Sequence, residues 1–198
     1  MIETRWLGRA DYEPVLAEQH AARARVWAGG DGVVLLCEHP PVITLGRSAN
    51  RANVLAPGDV PVVQIERGGD VTYHGPGQLM IYPIVRVKSV VEFLARVAGA
   101  LADAAAALGV PGAEWRRDPA GLWLGDAKLA ACGIHIARGV SVHGWAFNVA
   151  TPPESWTMIQ PCGLSCAQIS LSDARGLPIA VADVAGEVAP RVCRSLVQ

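Results

Sequence analysis

The cysteine at position 162 stands between a proline and a glycine, in "IQPCGL". Proline lacks the N–H that a ladder needs and restricts the residue before it, so this thiol is kept out of a helix or strand interior, with a free backbone N–H beside it. A thiol so placed is presented to a reactant instead of packed, which makes Cys162 the first candidate nucleophile. The thiolate is the reactive form, so a nucleophilic Cys162 needs a partner that favours its charge. Four side chains could serve: His74, His135, His143 and Lys128. Lys128 follows a Gly125–Asp126 turn and precedes the small residues of "LAACGIHI". Such a run can carry an ammonium inward, where desolvation lowers a lysine pKa. The residues by themselves leave all four partners open.

The remaining cysteines read differently. Cys37 lies inside an apolar run and, like Cys132 and Cys193, is expected to be a buried small hydrophobe. Cys166 is four residues past Cys162, a spacing with little metal-binding character, and the five cysteines fit no zinc framework. No metal site is expected.

A second unusual stretch, "RGGDVTYHGPGQ", runs from Arg67 to Gln78 and holds four glycines. Glycine is costly to order and is used where backbone turns sharply or approaches something closely. The stretch therefore reads as a shaped loop. It is not a dinucleotide fingerprint, because a strand and not a helix follows Gly77, and it lacks the lysine of a phosphate-binding Walker loop.

The elements that must hold these groups are legible in part. Residues 12–27, with apolar side chains at helical spacing, predict a helix ended by Gly29 and Gly30. "GVVLLCEH", "VITLG" and "VPVVQIE" predict strands, the last delivering the chain into the glycine loop, and "QLMIYPIV" predicts the strand that leaves it. Residues 89–109 predict a second helix, with Ser89 and Glu92 forming a capping box. "AGLWLGDAKLAACGIHIARGVSVHGWAFNVA" predicts three strands joined by turns at Gly125–Asp126 and Arg138–Gly139. A last helix is expected within 179–196. Helices segregated from strand meanders predict an α+β domain of mixed or antiparallel sheets flanked by helices, one domain over 1–198.

Composition narrows the function classes. The chain has 198 residues, is 51% hydrophobic and carries a formal net charge of -1. That balance disfavours disorder, a nucleic-acid partner or a membrane surface. The charged N-terminus does not read as a signal peptide, no run is long enough to span a bilayer, and a reducing cytoplasmic setting is expected. A monomer is the default expectation.

"CEHPPVITLGRSAN", "RGGDVTYHGPGQLMIYPI", "GDAKLAACGIHIARGVSVHGWAFNV" and "IQPCGL" resemble, in this order and spacing, the octanoyltransferases of lipoate biosynthesis. The resemblance covers approximately residues 33 to 170 and implies the fold of biotin and lipoate protein ligase catalytic domains. It implies that Cys162 takes an octanoyl group from the phosphopantetheine thiol of acyl carrier protein, with Lys128 as its dyad partner, and passes it to a lysine of a lipoyl domain. The acceptors it implies are the E2 subunits of 2-oxoacid dehydrogenases and the glycine-cleavage H protein. No cofactor is implied beyond the donor's own pantetheine arm. Substrate contact is implied for Arg67, Gly68, Gly69, Asp70, Val71, Thr72, Tyr73 and His74, for Ala131, Cys132 and Gly133, and for Gly144, Trp145 and Ala146. Cys132 and Trp145 depart from the small or aliphatic residue and the leucine common in the family, and Trp145 is expected to bear on the acyl channel. An ATP-dependent ligase of the same fold is the alternative implied.

Overall fold

The computed structural model describes residues 2–160 and 166–197. Its frame is a sheet of seven strands. β2 (Gly32–Glu38) and β6 (Gln78–Ile84) are apolar almost throughout because both of their faces are covered, and they pair antiparallel near the middle of the sheet. β10 (Val140–Asn148) pairs with β6 on one side and with β9 (Ala127–Ala137) on the other. β8 (Ala120–Leu124) and β7 (Ala113–Arg117) continue the antiparallel meander to one edge. At the other edge β1 (Ile2–Arg9) runs parallel to β2, a strand that the charged N-terminal sequence does not suggest.

Each face of this sheet has its own helices. α2 (Val90–Ala107) and α4 (Val181–Leu196) cover one face, burying Phe93, Val97, Leu101, Val184 and Val188 against Leu79, Ile81, Leu122 and Phe147. α1 (Tyr12–Trp27) covers the other, setting Val15, Ala22 and Val26 against Leu35, Met80 and Tyr82. The Ser89 hydroxyl accepts from the Glu92 N–H at 3.4 Å, which is half of the expected capping box. The full reciprocal box stands instead at Ser170 and Asp173, opening the short α3 (Leu171–Arg175).

A smaller sheet of three strands lies beside α1. β3 (Val42–Leu45) is its middle strand, parallel to β4 (Val62–Gln64) and antiparallel to β5 (Val71–His74). The glycine stretch expected to be all loop therefore contains a strand. Its first part turns at Gly69, whose φ of 86° suits glycine; β5 follows, held in register by Thr72 and Tyr73 against Thr44 and Ile43; and a second turn, with Gly77 at a φ of 83°, leads into β6. The chain expected to enter the glycine loop straight from a strand does so after β4 ends at Gln64.

Candidate active site

The glycine stretch closes over the main sheet at one point. The Gly68 N–H donates to the Ile134 carbonyl at 2.9 Å, which ties the turn to β9. Between the two sheets lies a cleft of about 680 Å³, its mouth included. From the small-sheet side Arg67, Gly69, Asp70, Val71, Thr72 and His74 border it. From the main sheet come Lys128, Ala131, Cys132 and Gly133 on β9, and His143, Gly144, Trp145 and Ala146 on β10. Thus most residues singled out from the sequence converge on one cavity. Gly68 and Tyr73 do not border it: Gly68 is held on β9, and the Tyr73 ring packs edge-on against Trp156, 5.9 Å between centroids, in the core of the small sheet. Cys162 lies outside the described residues.

Lys128 is buried, with 3% of its surface exposed. The shape that receives it comes from β8. The pairing of β8 with β9 shifts register between Leu122 and Trp123, and the amine of Lys128 lies 4.9 Å from the centre of the Trp123 ring. The stem crosses Gly121, where a Cβ would stand 2.6 Å from the Ala130 carbonyl and 3.2 Å from Lys128 Cε. Glycine at 121 is what leaves room for the lysine. The backbone of Lys128 is clasped as well: its N–H donates to the Ala167 carbonyl at 2.8 Å, and its carbonyl accepts from the Ile169 N–H at 3.1 Å.

The histidines separate by environment. His74 is buried, its Nδ1 2.9 Å from Gln78 Oε1 and its Nε2 3.3 Å from Thr44 Oγ1. Burial pushes its pKa down to about 3, and the neighbouring Arg67 charge adds to the effect, so the ring is neutral and occupied at both nitrogens. That leaves His74 no proton to exchange with a thiol. His143 takes a positive φ of 59° and puts Nε2 3.4 Å from Glu66, with its pKa lowered by burial to about 4. The extra residue in β9 at the Leu122/Trp123 register shift puts His135 on the same face as Lys128, but His135 does not border the cleft and lies beside the charges of Glu66, Arg23 and Arg47 instead. Of the four partners open in the sequence, Lys128 has the best setting.

Cys132 also borders the cleft, but the extra residue in β9 at the Leu122/Trp123 register shift puts its side chain on the opposite face from Lys128, packed with Leu122, Ala130 and Trp145. Burial raises its pKa far above the usual thiol range, and the Lys128 charge offsets this only in part. Trp145 borders the cleft, yet its indole is fully buried and packs 5.2 Å from the Trp115 ring in the core. The bulk expected to intrude on an acyl channel is largely absorbed there. The apolar wall of the cleft comes from side chains the sequence reading passed over: Tyr12, Ile65, Met80, Tyr82 and Trp156. Thr44, Gln78 and Asn148, which support His74 and Lys128, were passed over too. Only Thr44 carried a signal, as a polar residue inside an otherwise apolar strand; Gln78 and Asn148 stand at the ends of β6 and β10.

Among the described residues no cluster of His, Cys, Asp or Glu side chains could hold a metal ion. No described helix is long and apolar enough to cross a membrane.

Comparison with known proteins adds a lineage to this geometry. The family described as "Lipoyl protein ligase A/B catalytic domain" matches residues 11–191. A protein of Geobacter metallireducens named octanoyltransferase is 42% identical over 193 residues, covering 93% of this chain and 89% of that one. In fold, the chain is similar to a bi-partite lipoate protein ligase from Thermoplasma acidophilum, with a TM-score of 0.75 at 12% identity over 99% of this chain and 84% of that one. It is also similar to a biotin protein ligase from Aquifex aeolicus, at 0.58 and 12% over 98% and 70%.

Proposed function

The chain belongs to the lipoyl protein ligase A/B catalytic family, among its octanoyltransferases, and from that premise we propose that it moves an octanoyl group between proteins. The donor is octanoyl-acyl carrier protein. The acceptor is a lysine of a lipoyl domain, on the E2 subunit of a 2-oxoacid dehydrogenase or on the glycine-cleavage H protein. The observation that carries the reading is a buried lysine on a small-residue strand, opening on an apolar cleft beneath a glycine-rich turn.

The chemistry divides into two displacements. In the first, the Cys162 thiolate attacks the thioester carbonyl, a new C–S bond forms, and the carbon–sulfur bond to pantetheine breaks. The departing thiolate takes its proton from the Lys128 ammonium. In the second, the acceptor amine attacks the acyl-cysteine, Cys162 leaves as thiolate, and the amine's surplus proton returns to Lys128. Exchange between thioesters is nearly isoenergetic and amide formation is downhill, so the cycle needs no nucleotide and no cofactor. Water is the competing acceptor, and an apolar cleft closed over the acyl chain slows its attack.

Intact mass after incubation with octanoyl-carrier protein tests this. The wild type should gain one octanoyl group, released by thiols and discharged by an unmodified lipoyl domain. Cys162→Ala should gain none, and Lys128→Ala should acylate at least a hundredfold more slowly, the usual scale for losing a positioned proton carrier, roughly 10²–10⁴-fold. An adduct that persists in Cys162→Ala removes the assigned nucleophile. Acylation of the lipoyl domain only from free octanoate with ATP would instead make the chain a ligase.

A further inference from the structure

Five buried side chains link the glycine stretch to the backbone of the proton-carrying lysine, and hydrogen-bond parity gives the link one direction. A guanidinium only donates, and Arg67 reaches Thr44 Oγ1 with Nη2 at 3.0 Å and Nε at 3.2 Å. With its lone pairs taken by Arg67, the Thr44 hydroxyl has its own proton to give, and His74 Nε2 receives it at 3.3 Å. Nε2 is then an acceptor, so Nδ1 carries the ring proton and donates it to Gln78 Oε1 at 2.9 Å. That fixes the Gln78 amide, whose Nε2 donates to Asn148 Oδ1 at 3.0 Å. Asn148 Nδ2 donates in turn to the Lys128 carbonyl at 3.4 Å. The sequence begins on a group that can only donate and ends on one that can only accept.

We propose that this chain is a positioning device: His74, held as its Nδ1–H tautomer, sets through Gln78 and Asn148 the place of Lys128 relative to the acyl-binding turn. His74 touches no reacting atom in this role, and Thr44, Gln78 and Asn148 act with it. The proposal rests on the reading of Lys128 given above. The links are all in the protein interior, where an unpaired donor costs more than the bond itself returns. Reversing one amide therefore disturbs every later member, the last of which is the backbone of Lys128. The same carbonyl is bound by Ile169, so the chain joins the turn, the lysine and the segment after residue 165 at one atom.

The experiment combines a tautomer with a kinetic split, on the full chain. Histidine nitrogen chemical shifts, with His74 identified by its loss in His74→Asn, should show the Nδ1–H form. The Nε2–H form, or an average of the two, overturns the proposal. Gln78→Glu keeps an acceptor for His74 and removes the donor to Asn148. Its kcat per folded molecule should fall roughly ten- to a hundredfold, as for a small displacement of a reacting group, with KM for octanoyl-carrier protein held within about twofold. Thr44→Val should fall likewise and Thr44→Ser should recover most of the rate. Gln78→Glu and Thr44→Val that lose only folded fraction, at wild-type kcat, would make the chain structural and overturn the proposal. Should the wild type accept no octanoyl group, the function reading fails with it, while the tautomer still decides whether the hydrogen-bond chain exists.

Discussion

A histidine in a candidate active site invites a role in proton transfer, and His74 shows why the invitation is declined. Both its nitrogens are bonded, its ring stacks parallel to Tyr12 at 6.3 Å, and burial holds it neutral. The same burial has a consequence for stability. An unfolded histidine binds a proton near its ordinary value of 6.5, but His74 does so in the folded protein only at about 3 and His143 only at about 4. Between those limits the unfolded chain binds more protons, so stability is complete above about pH 6.5 and is lost as pH falls. Each such group steepens the loss by about 1.4 kcal/mol per pH unit inside its window. Burial lowers the pKa of His39 too, which adds to the same slope. Glu66 enters later. Burial pulls its pKa up, but hydrogen bonds and the neighbouring His143 and His20 outweigh that and set it near 2, so its contribution disappears between its ordinary 4.5 and 2. Urea midpoints should fall steadily from pH 7 to pH 4, and His143→Gln should flatten the slope by about one proton. Midpoints that hold constant across this range would contradict the buried, neutral rings.

At the scale of elements, the β8–β9 hairpin aims the lysine. The register shift at Leu122/Trp123 lays an aromatic face under the amine, and Gly121 opens a path for the stem. Gly121→Val should destabilise the protein by about 1–3 kcal/mol, the usual cost of overpacking, and should slow octanoyl transfer beyond what the loss of folded protein explains. Thermal unfolding and transfer rates on the folded fraction would measure the two effects; a variant with wild-type transfer would show that the lysine does not need this path. The hairpin itself was legible, because Gly125–Asp126 and Arg138–Gly139 punctuate strands of ordinary composition. α1 and α2 announced themselves by helical spacing and glycine ends, and α4 falls within the last helix expected over 179–196. β1 and β7 did not. As edge strands with one face partly in water, they carry Glu3, Arg5, Glu114 and Arg116, which mask any run of β-formers. β5 was hidden by its own glycines, since a strand of four residues between Gly69 and Gly75 is held by pairing with β3 and not by local preference. The site was legible where motif residues share a strand, as at 131–133 and 144–146. The links among Thr44, His74, Gln78 and Asn148 were not, because they depend on which strands of two different sheets face each other.

Taken as a whole, the molecule is a large sheet carrying α2 and α4 on one face, with α1 and the small sheet on the other, and the cleft opens where the two sheets part. Tyr12, Val42 and Ile65 close the corner where α1 meets the small sheet. An acyl chain entering from the side of Lys128 therefore meets apolar surface from Ile65, Met80, Tyr82 and Ala146 before it meets the packed core beneath. Each methylene buried there is worth about 0.8 kcal/mol, close to a fourfold gain in affinity, and a contact made in both ground and transition states appears in kcat/KM. Across carrier proteins bearing butanoyl, hexanoyl and octanoyl groups, kcat/KM should rise by about fifteenfold for every two carbons. The rise should stop once the chain fills the cleft, since further methylenes would have to displace Tyr82 and Tyr12, both buried and packed around His39. A profile that is flat from butanoyl to octanoyl would mean that the acyl chain lies elsewhere, and the cleft would then be left for the pantetheine arm or the acceptor lysine.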